Sequence, residues 1–506
     1  MTGASGTEGL SVRRRLGGAP SGEMAEFVFG PSVQRQLTYN AVHEVETHLA
    51  HVLMLVRQGI VPPDAGAALL GALVRLEDGG RAEVTVDGTE EDLYTYVERW
   101  VIGEVGGYAG GMLQTARSRN DLHTTAWRMA LRERLLAVWD ALAHLRETLL
   151  RLADTHAETV MPGYTHTHHA QPITFGYYLR SFVEVLLRDG ERLVGAMSRV
   201  NLSPLGSAAL SGTSFDIDRA FTADLLGFTA PLDVCYDGVA SRDDGYEAAG
   251  LLSGLCASLS RLALDIQLWC TKEFGFLELS DEFGVASSIM PQKKSPVALE
   301  RVKGLCGSVI GNGVGVLACA KNTSFADVND GATEVNGPLM EAAVGTRMAL
   351  GLLSGIVGTL SVRPERMLDE AASGFGTATD VAELVARTGG LSFRVAHNIV
   401  GVAVRRALAA GKEARELTPD DLDAAGAEVT GSPVGVPEAD LAVALDPVHS
   451  VQTHTMLGGP ARAPLADIAR RQRARADAQH TEMAATADRV DDARARLWSL
   501  ARQTAA

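Results

Sequence analysis

Cysteine is scarce in this chain: five residues in 506, at positions 235, 256, 270, 306 and 319, all in apolar stretches and none in a C-x-x-C pair. An odd, scattered set excludes a disulfide framework or a cysteine zinc site, and implies buried thiols in a reducing compartment. Positive charge is also short, with 46 Lys and Arg against 62 Asp and Glu and a net charge of −16. That balance repels polyanions at long range, which argues against nucleic acid or an anionic membrane as the main partner. No apolar run follows the arginines of the opening MTGASGTEGLSVRRRLGGAPSGE, so a flexible leader is expected there and not a secretion signal. Together these features imply a cytoplasmic protein.

Two motifs are missing as well. G-x-S-x-G is absent, and the G-x-G at Gly311 and Gly313 has Val316 in place of the third glycine of a dinucleotide fingerprint, with no strand before it. The uncharged run 304–320 is short for a membrane span and is interrupted by Asn312 and five glycines, so a buried soluble helix is expected there.

What the sequence has is helical periodicity. Residues 34–58, 121–156, 173–201, 244–270, 297–320 and 338–357 carry Leu, Ala and Val at three- and four-residue spacing, while strand-like alternation is nearly absent. Several of these segments are apolar on more than one face, which calls for neighbours on both sides and suggests a bundle completed by other subunits. From about residue 361 the helices shorten and Pro and Gly increase, and residues 461–506, rich in Arg, Ala and Asp, read as one solvated helix. The expected organisation is an N-terminal helical domain with the leader (1–120), a central long-helix bundle (121–360) and a smaller helical domain (361–506).

Three polar, irregular segments lie between the helices: GGMLQTARSRND at 110–121, MPGYTHTHHAQP at 161–172 and GVASSIMPQKKSP at 284–296. Arg117, Arg119 and Asn120 cluster donors suited to carboxylate or phosphate, although arginine-rich turns beside helices are more often solvated caps. His166, His168 and His169 have no cysteine and no second ligand cluster at a recognised spacing, so no metal is expected. Adjacent serines and lysines in the third segment fit a nucleophile or an anion site.

Taken together, the segments resemble the argininosuccinate lyase branch of the fumarase/aspartase superfamily. TARSRND at 115–121 is similar to that branch's T-G-R-S-R-N-D, and MPGYTH with AQP at 161–172 to its M-P-G-Y-T-H-x-x-x-A-Q-P. ASSIMPQKKS at 286–295 resembles the superfamily signature G-S-S-x-M-P-x-K-x-N. PLGS at 204–207, ATDVA at 378–382, FRVAH at 393–397 and Gly458-Gly459 extend the likeness over roughly residues 30–475.

The resemblance implies an all-α, three-domain subunit with a central long-helix bundle, assembled as a homotetramer whose sites are shared between subunits. It implies a carbon–nitrogen lyase that releases fumarate from an N-substituted aspartate, or adds an amine to fumarate, without a cofactor. By the same matching Ser287 is the base, His166 the acid and Glu300 the carboxylate that orients it, with Lys293 supplying positive charge. Ser118, Arg119, Asn120, Thr165, Gln171, Ser288, Met290 and Ser295 fall at substrate-contacting positions. Serine needs a closed, positively biased site to act as a base.

Departures from the branch concern the other half of the substrate. EDLYTYVE at 91–98 has Tyr94 and Val97 where E-D-I-H-T-x-N-E has His and Asn. VNDGATEVNGPL at 328–339 has Val328, Thr333 and Asn336 where the branch carries Tyr, Gln and Lys, and the usual W-G-G-R-F is missing. The expected substrate is therefore an N-substituted aspartate other than argininosuccinate. The alternatives are an argininosuccinate lyase of arginine biosynthesis and a non-catalytic structural homologue.

Overall fold

The computed structural model describes residues 19–79 and 84–506. The first 18 residues, which hold most of the expected leader, lie outside the described part.

Helices α1 (Gly30–Tyr39), α2 (Ala41–Arg57), α3 (Pro63–Glu77) and α4 (Leu93–Gly110) form the N-terminal unit. The single helix expected over 34–58 is two, because Asn40 leaves the helical basin at φ −121°, ψ −11°. Central helices are α5 (Arg119–Thr155), α6 (Phe175–Val200), α7 (Asp243–Trp269), α8 (Val297–Ala320) and α9 (Asn336–Gly358), each within a few residues of the periodic segment that announced it. Their inward Leu, Val and Trp side chains make the largest core, including Leu142, Leu186, Leu255, Val302 and Leu350.

In the expected buried run, α8 is covered on one side only. Leu305 and Val309 enter the core, while Val314 and Leu317 are 63% and 52% exposed. Three stretches, Asp243–Trp269, Val297–Ala320 and Asn329–Gly358, are long and apolar enough to cross a membrane by length and composition. Cys256 and Cys306 are buried in this bundle and the other three cysteines are half-buried; all five are free thiols.

Beyond the bundle, helices α10 (Pro364–Ser373), α11 (Ala378–Gly389), α12 (Phe393–Ala409), α13 (Pro419–Thr430), α14 (Glu438–Leu445) and α15 (Pro447–Thr453) lead to a separate small core built from Val381, Ile399, Leu422 and Leu441. The terminal segment is one 44-residue helix, α16 (Arg462–Ala505), as expected, but it is not solvated on all sides. Met483 enters the bundle core, while Leu497 and Ala501 enter the N-terminal one with Leu70 and Leu73. Gln472 donates to the backbone carbonyl of Arg180, and Gln479 to that of Leu187, which lays the helix along α6.

Candidate functional site

Each of the three polar segments folds for a local reason. Ser118 caps α5, its hydroxyl accepting from the N–H of Asn120 (3.3 Å) while Asp121 accepts from the N–H of Ser118 (3.1 Å). The second Asp121 oxygen accepts from the N–H groups of Gly206 and Ala208 at 2.9 Å each, which docks the PLGS loop onto the helix start. Burial raises the Asp121 carboxyl to about 6. Arg117 is buried: its guanidinium meets the His48 ring at 2.9 Å and donates to Gln114, so it braces the segment from behind and is no ligand group.

Arg119 and Asn120 face outward from the first turn. Arg119 Nη1 donates to Glu91 and to Asp92, both at 2.9 Å, and Asn120 Nδ2 donates to the carbonyl of Ala209 (3.3 Å). His123 follows one turn later on the same face of α5. Its Nε2 sits 3.3 Å from Asp92, and its Nδ1 is 3.9 Å from Glu44. Burial alone would lower the imidazole's pKa, but the hydrogen bond and charge of Asp92 and the charge of Glu44 hold it above the usual range. Glu44 itself is fully buried with neither oxygen hydrogen-bonded, and burial pushes its carboxyl up to about 7.

Asp92, Arg119, Asn120 and His123 line a two-lobed cleft closed by α1 and the 327–336 segment, with Glu44 behind them. The outer lobe, about 330 Å³, is bounded by Phe27, Glu91, Asp92, Arg119, Asn120 and Glu334. The inner lobe, about 90 Å³, reaches Asn40, Trp127, Arg242 and Asn336. Arg35, His123, Asp327 and Thr333 line both. Thr333 and Asn336 thus do face the cleft, as the departures from the branch pattern suggested. Tyr94 does not: its ring lies buried against His48, and its hydroxyl donates to Glu98. Among the described residues Val328 lines neither lobe; it leads into the short helix Asn329–Ala332.

The second segment is a hairpin of strands β1 (Val160–Thr165) and β2 (His168–Thr174). Its two central turn residues, His166 (φ 52°) and Thr167 (φ 63°), are both left-handed, the geometry of a type I′ turn made without glycine. His166 stands exposed at the tip, and Thr165 and Gln171 are exposed on the flanking strands. Close approaches fix the base of the hairpin. A Cβ on Gly163 would come within 2.6 Å of the Gln171 carbonyl, and one on Gly376 within 2.4 Å of that of Ala170.

In the third segment, strands β3 (Val285–Ala286) and β4 (Lys294–Ser295) pair and hold a loop between them, with Ser295 opposite Val285. The Ser287 hydroxyl oxygen accepts from the N–H groups of Ile289 (3.3 Å) and Met290 (3.0 Å). Two amide donors on one hydroxyl favour its ionised form. Lys294 pairs with Asp281 at 2.7 Å, which leaves Lys293 exposed and without an ion pair among the described residues. Ser288 and Met290 are exposed, as is Glu300 in the first turn of α8.

Within one chain, then, the structure brings together Arg119, Asn120 and the altered 333–336 positions, with Ser118 at the cap beside them. Among the described residues no hydrogen bond or ion pair joins His166, Ser287 and Glu300 to one another, and none of the three lines the cleft. His123 escaped the sequence reading; its three-residue spacing from Asn120 was the available signal.

Comparison with known proteins adds to this geometry. A lyase family model matches residues 34–311, and an argininosuccinate lyase C-terminal model matches residues 375–452. Argininosuccinate lyase 1 of Shouchella clausii is 37% identical over 89% of this chain and 91% of its own length. Argininosuccinate lyase of Methanothrix thermoacetophila is 38% identical over 94% of this chain and 96% of its own. Among solved structures, EDDS lyase in complex with formate superposes with a TM-score of 0.86 at 31% identity, covering 96% of this chain and 98% of the other. A variant of EDDS lyase with bound fumarate gives 0.85 over the same shares.

Proposed function

The chain belongs to the argininosuccinate lyase branch of the fumarase/aspartase superfamily, and we propose that it is a carbon–nitrogen lyase acting on an N-substituted aspartate other than argininosuccinate. In the direction of elimination, Ser287 takes the proton from the carbon beside a carboxylate of the aspartyl half. The electron pair left behind forms the new C=C bond as the C–N bond breaks, and His166 gives its proton to the departing nitrogen. Fumarate and the amine are the products; addition runs the same steps backward.

The observation that carries the base assignment is the pair of N–H groups on the Ser287 oxygen, at 3.3 and 3.0 Å, with Lys293 adjacent. Glu300 orients His166, and Ser118, Arg119, Asn120, Thr165, Gln171, Ser288, Met290 and Ser295 receive the succinyl half. Because the three segments do not converge in one chain, the working site is assembled between copies, in a homotetramer. A cytoplasmic enzyme fits the reduced cysteines.

Thr333 and Asn336 support the altered substrate. Both line the cleft with short, uncharged side chains, so the longer amide and the positive charge that the branch carries at these two positions are not offered to the amino-acid end here. The names of the relatives favour a second reading, argininosuccinate lyase itself. Steady-state fumarate release decides between them: we expect kcat/KM on argininosuccinate well below the ordinary range of about 10⁴ M⁻¹s⁻¹ and upward, alongside fumarate consumption with some other amine. A value inside that range establishes the second reading. The Ser287→Ala variant is expected to lose turnover in either case while staying folded, and activity retained in it removes Ser287 as the base.

A further inference from the structure

Arg119 is tied down by one nitrogen. Its Nη1 donates to two carboxylates, Glu91 and Asp92, at 2.9 Å each, while among the described residues neither Nη2 nor Nε has a hydrogen-bond partner. Those N–H groups remain for a ligand, on a side chain that is 34% exposed and lines the outer lobe. Taken alone, the arrangement disfavours an anion, because one positive charge faces two negative ones.

The compensating charge stands one turn further along α5. Asp92 is fixed as the cap of α4, one oxygen accepting from the N–H and the hydroxyl of Thr95 at 3.0 and 2.7 Å. Its other oxygen is shared by Arg119 Nη1 (2.9 Å) and His123 Nε2 (3.3 Å). The second ring nitrogen of His123, Nδ1, is directed at Glu44 of α2, 3.9 Å away. Against the cost of burial, the hydrogen bond and charge of Asp92 and the charge of Glu44 keep the imidazole protonated above its usual range. The other charges nearby are already balanced: His48 of α2 is kept neutral by burial and meets Arg117, Arg35 of α1 pairs with Glu334 (2.9 Å), and Asp327 pairs with Arg242 (3.3 Å).

We propose that His123 is a positioning residue for substrate binding: clamped between Asp92 and Glu44, it offsets the charge of Asp92, so that two carboxylates hold Arg119 in place and the guanidinium still attracts the anionic succinyl half. This deepens the lyase reading and rests on it. His123 touches no substrate; it acts through Asp92 on Arg119. As pH rises the imidazolium loses its proton and Glu44, whose carboxyl burial pushes up to about 7, ionises, and both changes turn the cluster negative.

Binding of fumarate to the full-length protein, followed by isothermal titration calorimetry from about pH 6 to about pH 9, tests this, since fumarate stays a dianion throughout. The wild-type Kd is expected to rise about 5- to 20-fold over that range. His123→Gln keeps a side-chain N–H for Asp92 and loses the charge. It is expected to bind at the acid end about as weakly as the wild type does at the alkaline end, with a shallower pH profile. Adding Asp92→Asn, which still caps α4 but removes the charge that His123 offsets, is expected to restore most of the lost affinity. A glutamine that serves as well as the histidine, or a double variant weaker than the single one, overturns the proposal. So does a wild-type Kd independent of pH, a result that needs no variant to fold and leaves the lyase reading standing. A wild type that binds no fumarate and releases none from N-substituted aspartates defeats the lyase reading first, and this inference falls with it.

Discussion

Residue by residue, the chain keeps its most unusual charges behind the cleft and not in it. Glu44 is the plainest case: it is 1% exposed, both of its oxygens lack hydrogen bonds, and its carboxyl is raised from 4.5 to about 7. A carboxyl whose pKa is raised on folding favours the folded state below its unfolded pKa, and that contribution disappears as pH rises through the folded value. The His123 and Arg117 charges offset part of the burial penalty, leaving about 3 kcal/mol that the ionised form costs. Glu44→Gln is therefore expected to melt with the wild type near pH 4.5 and about 2–4 °C above it at pH 8, measured by calorimetry. Equal melting at both pH values would mean that Glu44 has a partner. The sequence made the cleft's first turn legible through Arg119 and Asn120, because a motif carries residue types in order. It could not show that Tyr94 turns inward toward Glu98, since a side chain's direction depends on helices far off in the chain.

Elements were more legible than their surroundings. The long central helices sit where apolar residues recur at three and four, because burial in a bundle and helical periodicity impose the same pattern. The break at Asn40 was hidden, as the apolar positions continue through it in phase. Helix α16 misled for the opposite reason. Its buried positions Leu465, Gln472 and Gln479 fall seven apart, so they share one face, but two of them are amides in an arginine-rich background and carry no hydropathy signal. Near its end that face becomes apolar: Leu497 is 1% exposed inside the N-terminal core. Leu497→Ala is expected to cost about 2–5 kcal/mol of stability, read by denaturant titration. A change under about 1 kcal/mol would show that the helix end is only loosely docked.

For the molecule as a whole, the exposed apolar side of α8 and the separation of His166 and Ser287 from the cleft point the same way. Val314 and Leu317 stand exposed on α8, and Leu264, Leu268 and Met348 on the neighbouring long helices are 45%, 40% and 40% exposed, apolar side chains that the proposed assembly would cover. A chain carrying Val314→Asp and Leu317→Lys is expected to sediment and scatter light as a smaller species than the wild type, with activity falling in step. A wild type that is already a folded monomer at micromolar concentration defeats the homotetramer proposal. These helices also bear on how the chain is made. The three long apolar stretches leave the ribosome in chain order, α7 before α8 and α9 exist to cover it and α8 before α9. For that interval lipid and chaperones compete with the sister helices for the same surface, so yield in expression is a race between partners, decided by timing before any equilibrium is reached.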